Sequence, residues 1–332
     1  MRILVLGGTA FVGRHFVEAA LTAGHKVTLF HRGRTGSGLF PTAEEILGDR
    51  DSDLAPLHGR TWDAVVDTCG YVPRIVHKTM ELLKHATPHY TFISSISVYR
   101  DFASPGRHEG DALTILHEPE TEEITAQTYG GLKVLCEQHI QRYFAHGGLI
   151  IRPGMVVCPF DHTGRFPSLL ARAARGGDMV LPVADEGSSL SDDQMQFIDV
   201  RDLAVWTLAM VERHVGGVYN AVSPPASLLS VLGVASAAVG VDTNFVGVDS
   251  EFLTKREIPP ATLNAWYTGV DPTMDHVWQV DASKARSQGL TFRPLTDTVR
   301  DTLSWVNTLG DALKLPISAE RETEIATEWR SR

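Results

Sequence analysis

The sequence predicts an α/β fold: a doubly wound parallel sheet with a smaller, interleaved α/β C-terminal lobe. Three observations predict it. An apolar run at residues 3–6 leads directly into Gly7, Gly8 and Gly13. Strand-like and helix-like segments then alternate through the first half of the chain, as expected of a parallel sheet with helices on both faces. After Pro159 the alternation loosens into helices separated by proline-rich turns.

The opening segment carries the most information. After the glycines, Phe16, Val17, Ala20 and Leu21 recur at helical spacing, so the order is strand, tight turn, helix. That is the start of a Rossmann-like dinucleotide-binding unit. Gly7 and Gly8 let the backbone turn sharply and approach a pyrophosphate, and Gly13 lets the helix pack on the strand. The helix N-terminus adds free N–H groups and the positive end of a dipole. The turn therefore offers Gly7, Thr9, Ala10, Phe11, Val12 and Gly13 to a cofactor. An ordinary strand–turn–helix would read the same way by itself.

The second strand, 27–30, ends in His31-Arg32-Gly33-Arg34. A site that prefers NAD usually ends this strand with a carboxylate for the ribose 2′-hydroxyl. No acidic residue occurs from 26 to 41. Arg32 and Arg34 instead suit a 2′-phosphate, through parallel charge-assisted bonds. The expectation is NADP(H) in preference to NAD(H), which stays open. The alternative is that both arginines only solvate a loop.

Residues 44–47 lead into Gly48-Asp49-Arg50, a strand end carrying a carboxylate. Residues 63–66 form a short buried strand that ends in Asp67-Thr68-Cys69-Gly70. A helix is expected at 76–83, a strand at 90–95 before Ser97-Val98-Tyr99, a long helix at 124–144, and a strand at 149–152 closed by Pro153-Gly154. Ligands of such sheets lie at the strands' carboxyl ends. Asp49, Arg50, Thr68, Cys69 and Gly70 are therefore expected beside the cofactor. Beyond Pro159, a basic helix at 169–175 precedes a glycine- and serine-rich loop. The segment 196–202 reads as a strand feeding a helix that runs through Met210, and 218–221 as one more strand. The expected organisation is a dinucleotide-binding domain of 1–159 plus about 196–223, and a substrate lobe of about 160–195 and 224–310. A charged tail, 311–332, should be a loosely packed helix.

Composition narrows the class. A chain of 332 residues with 43% apolar content can bury one large core or two modest ones. A net charge of −10 argues against a nucleic-acid surface. Cys69, Cys136 and Cys158 lie far apart, which fits a reducing cytoplasm and offers no disulfide framework. The 14 histidines show no metal-ligand spacing, so no metal is expected. The apolar N-terminus is accounted for by the first strand rather than a signal peptide. The nearest approach to a membrane span, 228–241, is too short. The expectation is a cytoplasmic protein with a small-molecule substrate and neither a nucleic-acid nor a membrane partner.

Tyr129 and Lys133 stand four apart in the expected long helix and share a face. A phenol titrates near about 10, and a nearby ammonium stabilises its anion. Ser95, at a strand end upstream, can hold a carbonyl or alcohol oxygen. Together they form a general acid/base site beside a hydride carrier, with Lys133 also within reach of the nicotinamide ribose. A lone Tyr-x-x-x-Lys arises by chance in many helices. Its weight here comes from order: the glycine turn, Ser94-Ser95-x-Ser97-Val98-Tyr99, Tyr129-x-x-x-Lys133, then Arg152-Pro153.

That order resembles the extended short-chain dehydrogenase/reductase superfamily, which holds nucleotide-sugar epimerases and dihydroflavonol-type reductases. The resemblance covers nearly the whole chain, including 196–202 and Asp281-x-x-Lys284-Ala285. It implies that Gly7, Ala10 and Gly13 take the three glycine positions and that Asp49 contacts the adenine. It makes Ser95, Tyr129 and Lys133 the catalytic residues and Pro153 the residue backing the nicotinamide. It also implies a homodimer through the helices around 76–85 and 129–145. Ala10 departs from the family's middle glycine. Met155 stands where the sugar-nucleotide enzymes carry an Asn, and Cys158 replaces a glycine. The run from Arg152 to Pro159 looks more like reductases of apolar or aromatic ketones, for which Met155 would form an adaptable wall. A plain core role for Met155 is equally open.

The candidate substrate contacts are Tyr71, Ser97, Tyr99, Met155, Phe160, Arg165 and Gln196, because they follow strand ends or open the second lobe. Each reads equally as packing, and Arg165 as a partner for the acidic stretch 118–123. The expected function is NADPH-dependent reduction of a small-molecule carbonyl, or the reverse alcohol oxidation. One rival is a nucleotide-sugar epimerase or dehydratase with tightly held NAD. The other is a non-catalytic cofactor sensor or RNA-binding relative, since chloroplast stem-loop RNA-binding proteins resemble the chain in the Gly-Gly-Thr-x-Phe turn.

Overall fold

The apolar run at the N-terminus is β1 (Arg2–Leu6), and residues 3–6 are fully buried in the computed structural model. The structure describes residues 1–332 except 186, 191–192 and 265–270. Parts of the expected glycine- and serine-rich loop and of the proline-rich stretch thus lie outside the described residues. Alternate side chains of β1 serve opposite faces. Ile3 and Val5 pack with α1 (Phe11–Thr22) and α5 (Val200–Glu212). Leu4 and Leu6 pack with α2 (Pro73–Leu83) and α3 (Tyr129–Tyr143).

The remaining strands of this sheet are β2 (Lys26–His31), β3 (Glu44–Leu47), β4 (Ala64–Asp67), β5 (Tyr90–Ile93), β6 (Gly148–Pro153) and β11 (Gly217–Ala221). All seven pair in parallel, in the order β3-β2-β1-β4-β5-β6-β11. The order reverses between β1 and β4, so a crevice opens at their carboxyl ends.

The long helix starts at Tyr129, not at 124. Mutual hydrogen bonds between Thr125 and Thr128 hold a turn immediately before it. Tyr129 therefore sits in the first helical turn, at the mouth of the fold.

The second lobe differs from the sequence reading. Its centre is a parallel pair, β8 (Gly177–Val183) and β13 (Thr243–Asp249), with α4 (Arg165–Arg175), α6 (Leu228–Val239) and α10 (Leu295–Leu309) packed nearby. Neither strand was expected. Pro182 disguises β8, because proline demotes a strand in any local reading. The segment 228–241 is mostly α6, and among the described residues no helix is long and apolar enough to cross a membrane.

The charged tail also needs correction, because it is tightly docked. Helix α11 (Ala319–Arg330) buries Ile325 and Ala326 and inserts a fully buried Glu322 between Arg172 and Arg175. Its carboxylate also accepts the Val180 N–H at 2.9 Å, which fastens α11 to β8.

Candidate active site

The glycine turn has the backbone that its residues allow. Gly7 and Gly8 have φ of 95° and 91°, which side chains other than glycine rarely adopt. A Cβ on Gly13 would stand 2.8 Å from the Gly8 nitrogen, so only glycine lets α1 come this close. Ala10, the helix N-cap, has an ordinary extended backbone at φ −129° and does not require glycine. No side chain caps α1 and no acidic residue lies in its first turn, so its N–H groups face the crevice unopposed.

The crevice is a cleft of about 660 Å³. It is lined by Gly7, Thr9, Ala10, Phe11, Val12 and Gly13, by His31, Arg32 and Arg34 after β2, by Asp49 and Arg50 after β3, and by Thr68, Cys69 and Tyr71 after β4. Its glycine cradle, uncapped helix and length suit a dinucleotide. That molecule would supply hydride transfer when bound. His162, Ile124 and Thr35 also line the cleft, and the sequence reading missed them. The only local hint for His162 was its place between Phe160 and Arg165.

His31 closes β2, and its roles are set by its neighbours. The Gly33 N–H donates to Nδ1 at 3.0 Å, which leaves Nε2 to donate to Glu45 at 2.9 Å. The Glu45 carboxylate also accepts from Ser37 and from the Gly38 N–H, so it fixes the loop after β2. Arg32 and Arg34 are exposed on the cleft, and among the described residues neither forms an ion pair.

Arg50 is not a free cation for the cofactor. Its guanidinium grips Asp67 at 2.8 and 2.9 Å and also donates to Thr79. Burial disfavours the Asp67 charge, but Arg50 outweighs it and holds the carboxyl below its ordinary value. Thr68 donates to the Leu6 carbonyl, and its Oγ1 occupies the space that side chains on Gly7 or Gly13 would need.

Tyr71 closes the far end of the cleft, with its ring 6.3 Å from that of Tyr129. Ser95 caps a short 3₁₀ turn, accepts the Ser97 N–H at 3.1 Å and donates to the Ser97 hydroxyl at 3.0 Å. Lys133 is buried and donates to the carbonyls of Gly70 and Ile93, both at 2.8 Å. One N–H of the ammonium remains for another acceptor. Burial lowers the Lys133 pKa to about 8.

The expected tuning of Tyr129 by Lys133 needs correction. The ammonium stands 5.9 Å from the Tyr129 ring centre and is aimed at backbone carbonyls. Burial raises the Tyr129 pKa, opposed by the Ser95 hydroxyl and by the charge of Arg165. Arg165, exposed at the start of α4, therefore acts on the site at a distance.

Several other candidates are structural. Tyr99 is buried and donates to Asn220 at 2.7 Å. Gln196 bonds to Ser223 and to both backbone groups of Val280, stapling two segments together. Met155 sits in the second-lobe core beside Phe166 and Phe197. Phe160 lies under the Arg14 guanidinium, 3.5 Å from ring centre to carbon, and against Trp305. None of these four lines the cleft. Pro153 is buried at the end of β6, and Ser97 is exposed beside Ser95. Among the described residues no cluster of metal ligands occurs.

Comparison with known proteins decides the family. The model of the NAD-dependent epimerase/dehydratase family matches residues 3–221. The chain belongs to that family. Its fold is shared with family enzymes of known structure. UDP-glucuronic acid 4-epimerase from Bacillus cereus, solved with NAD, superposes with a TM-score of 0.67 at 18% identity, covering 94% of this chain and 98% of that one. UDP-glucose-4-epimerase from Stenotrophomonas maltophila, solved with NAD and formylated UDP-arabinopyranose, gives 0.67 at 18% identity, covering 94% and 99%. The Bordetella bronchiseptica enzyme WbmH, in complex with NAD+, gives 0.67 at 15% identity, covering 93% and 99%. The chloroplast stem-loop binding protein of 41 kDa b from Arabidopsis thaliana is 39% identical over 54 residues, which is 16% of this chain and 13% of that protein. At these identities the solved neighbours establish the fold of this family member, not its substrate.

Proposed function

We propose that this epimerase/dehydratase family member moves a hydride between a nicotinamide dinucleotide and a carbinol or carbonyl carbon, with Ser95, Tyr129 and Lys133 as its acid/base apparatus. One observation carries the reading: the Tyr129 ring stands 6.3 Å from that of Tyr71, which lines the glycine-cradled cleft, and Lys133 is buried one helical turn beyond. Ser95 holds the substrate oxygen, and Tyr129 takes or returns its proton. Lys133 has one N–H left for a ribose hydroxyl, and it braces Gly70 beside the cofactor.

Transient oxidation of a sugar-like substrate, with the dinucleotide retained through each cycle, is the first form of this reading. The shared family and fold of the NAD-containing UDP-sugar enzymes support it. The second form is an NADPH-dependent carbonyl reductase. Arg32 and Arg34 on the cleft, without ion pairs among the described residues, favour it.

The test is the purified, dialysed protein, assayed for co-purified nucleotide and titrated with NADPH and NADH. Retained NAD supports the first form. Exchangeable NADPH, preferred over NADH, supports the second. Binding of neither overturns both.

A further inference from the structure

Tyr129, Lys133 and Glu137 follow one another at intervals of four along α3 and so share a face. The first two belong to the reaction proposed above. Glu137 does not reach the cleft, yet it is 1% exposed and fully engaged. Its carboxylate accepts Nε and Nη2 of Arg152, at 3.0 and 2.6 Å, in a parallel fork. It also accepts the Ser94 hydroxyl at 2.5 Å. Arg152, 2% exposed, precedes the last residue of β6. Its remaining nitrogen, Nη1, donates to the Tyr99 hydroxyl at 3.2 Å and to the Glu109 carbonyl at 3.3 Å.

These bonds have a common target. Ser94 immediately precedes Ser95, and Tyr99 ends the short turn that Ser95 caps. A single ion pair thus holds both flanks of the Ser95 segment, and its carboxylate is rooted in the helix that carries Tyr129 and Lys133. The backbone adds a third hold, with the Ser94 N–H donating to Ile151 at 2.7 Å. Buried ion pairs are poor sources of net stability, because desolvating two charges cancels most of their attraction. What such a pair does offer is a fixed geometry.

We propose that Glu137 and Arg152 are positioning residues, which hold the Ser95 segment in place against the helix that carries Tyr129 and Lys133 by clamping β5, β6 and α3 to one another. The proposal rests on the reaction assigned above, but its test needs no substrate. The groups that face Tyr129 are Tyr71 after β4, Ser95 after β5, Lys133 and Cys136 on α3, and Arg165 on α4. Ser95 is the one that the clamp would move.

The experiment uses full-length protein labelled with [13Cζ]tyrosine, with the Tyr129 signal assigned by its loss in Tyr129→Phe. Ser95→Ala then defines the shift that follows loss of the Ser95 hydroxyl. Glu137→Gln and Ser94→Ala should move the Tyr129 signal toward that position. Affinity for NAD+ and NADP+ should stay within about twofold, since the glycine turn and α1 are untouched. Arg152→Lys, which keeps the charge and loses the fork, should shift it as well. Ser94→Ala keeps the ion pair and removes no charge, so it remains informative if the other variants fail to fold, and its shift cannot arise from a change in local field. A Tyr129 signal unmoved in Ser94→Ala and in the folded charge variants, with only a lower melting temperature, overturns the proposal. Failure of the functional reading shows separately, as a wild-type protein that binds neither dinucleotide.

Discussion

Arg50, which lines the cleft, and the buried Asp67 meet in a two-point ion pair, at 2.8 and 2.9 Å. Asp67 is fully buried and also accepts the Tyr90 hydroxyl at 2.8 Å. Arg50→Ala would leave this carboxylate buried without its counter-charge, a change that costs about 3–5 kcal/mol. Chemical denaturation of the variant should show a loss of that size. A variant as stable as the wild type would mean that the site relaxes or admits water.

Arg32 and Arg34 make a different kind of prediction, because both are exposed and unpaired among the described residues. Replacing either with alanine should leave stability unchanged. If they meet a 2′-phosphate, each should weaken NADP+ by about tenfold or more, the size of a charge-assisted hydrogen bond. NAD+ should bind as before. Parallel fluorescence titrations with the two dinucleotides separate the outcomes, and equal effects on both would contradict the assignment.

Glu322 pins the C-terminal helix. Its carboxylate is fully buried between Arg172 and Arg175, and Arg172 is 1% exposed. Glu322→Ala should destabilise the protein by about 3–5 kcal/mol, by leaving Arg172 charged and unpaired. Amide exchange in α11 should rise with it. Retained protection across 319–330 would show that Ile325 and Ala326 suffice to dock the helix.

His89 sets an acid limit on stability. It is fully buried, and desolvation, helped by nearby His214, lowers its pKa from 6.5 to about 4. Between those values the unfolded chain takes up a proton that the native His89 refuses. Its contribution is therefore complete above pH 6.5 and falls as the pH drops toward about 4, by about 3 kcal/mol in all. Urea midpoints measured across this window should decline, and His89→Gln should flatten that part of the slope. An unchanged slope would assign the acid sensitivity to other groups.

Much of the first half was legible because its signals are local. The run 3–6, the turn from Gly7 to Gly13 and the strand at 44–47 lie where the sequence places them. Tyr129 and Lys133 share a face of α3, as their spacing implies. The substrate contacts were read less well. Tyr99 and Gln196 follow strand ends, as ligand contacts do, yet their partners Asn220 and Val280 lie far along the chain. Nothing near either residue says whether its polar atoms will meet a substrate or a distant strand. Strand β8 was hidden by Pro182, which its pairing with β13 tolerates.

The parallel sheet, the glycine cradle and the tyrosine–lysine face of α3 are written in local pattern. Each follows from side-chain period or backbone freedom within a few residues. Long-range packing settles that Arg50 engages Asp67, that Lys133 points at carbonyls and not at the Tyr129 hydroxyl, and that the charged tail is a docked helix. Those outcomes depend on which buried charge or donor finds which partner across the fold, and burial makes that choice through desolvation, which no local pattern encodes.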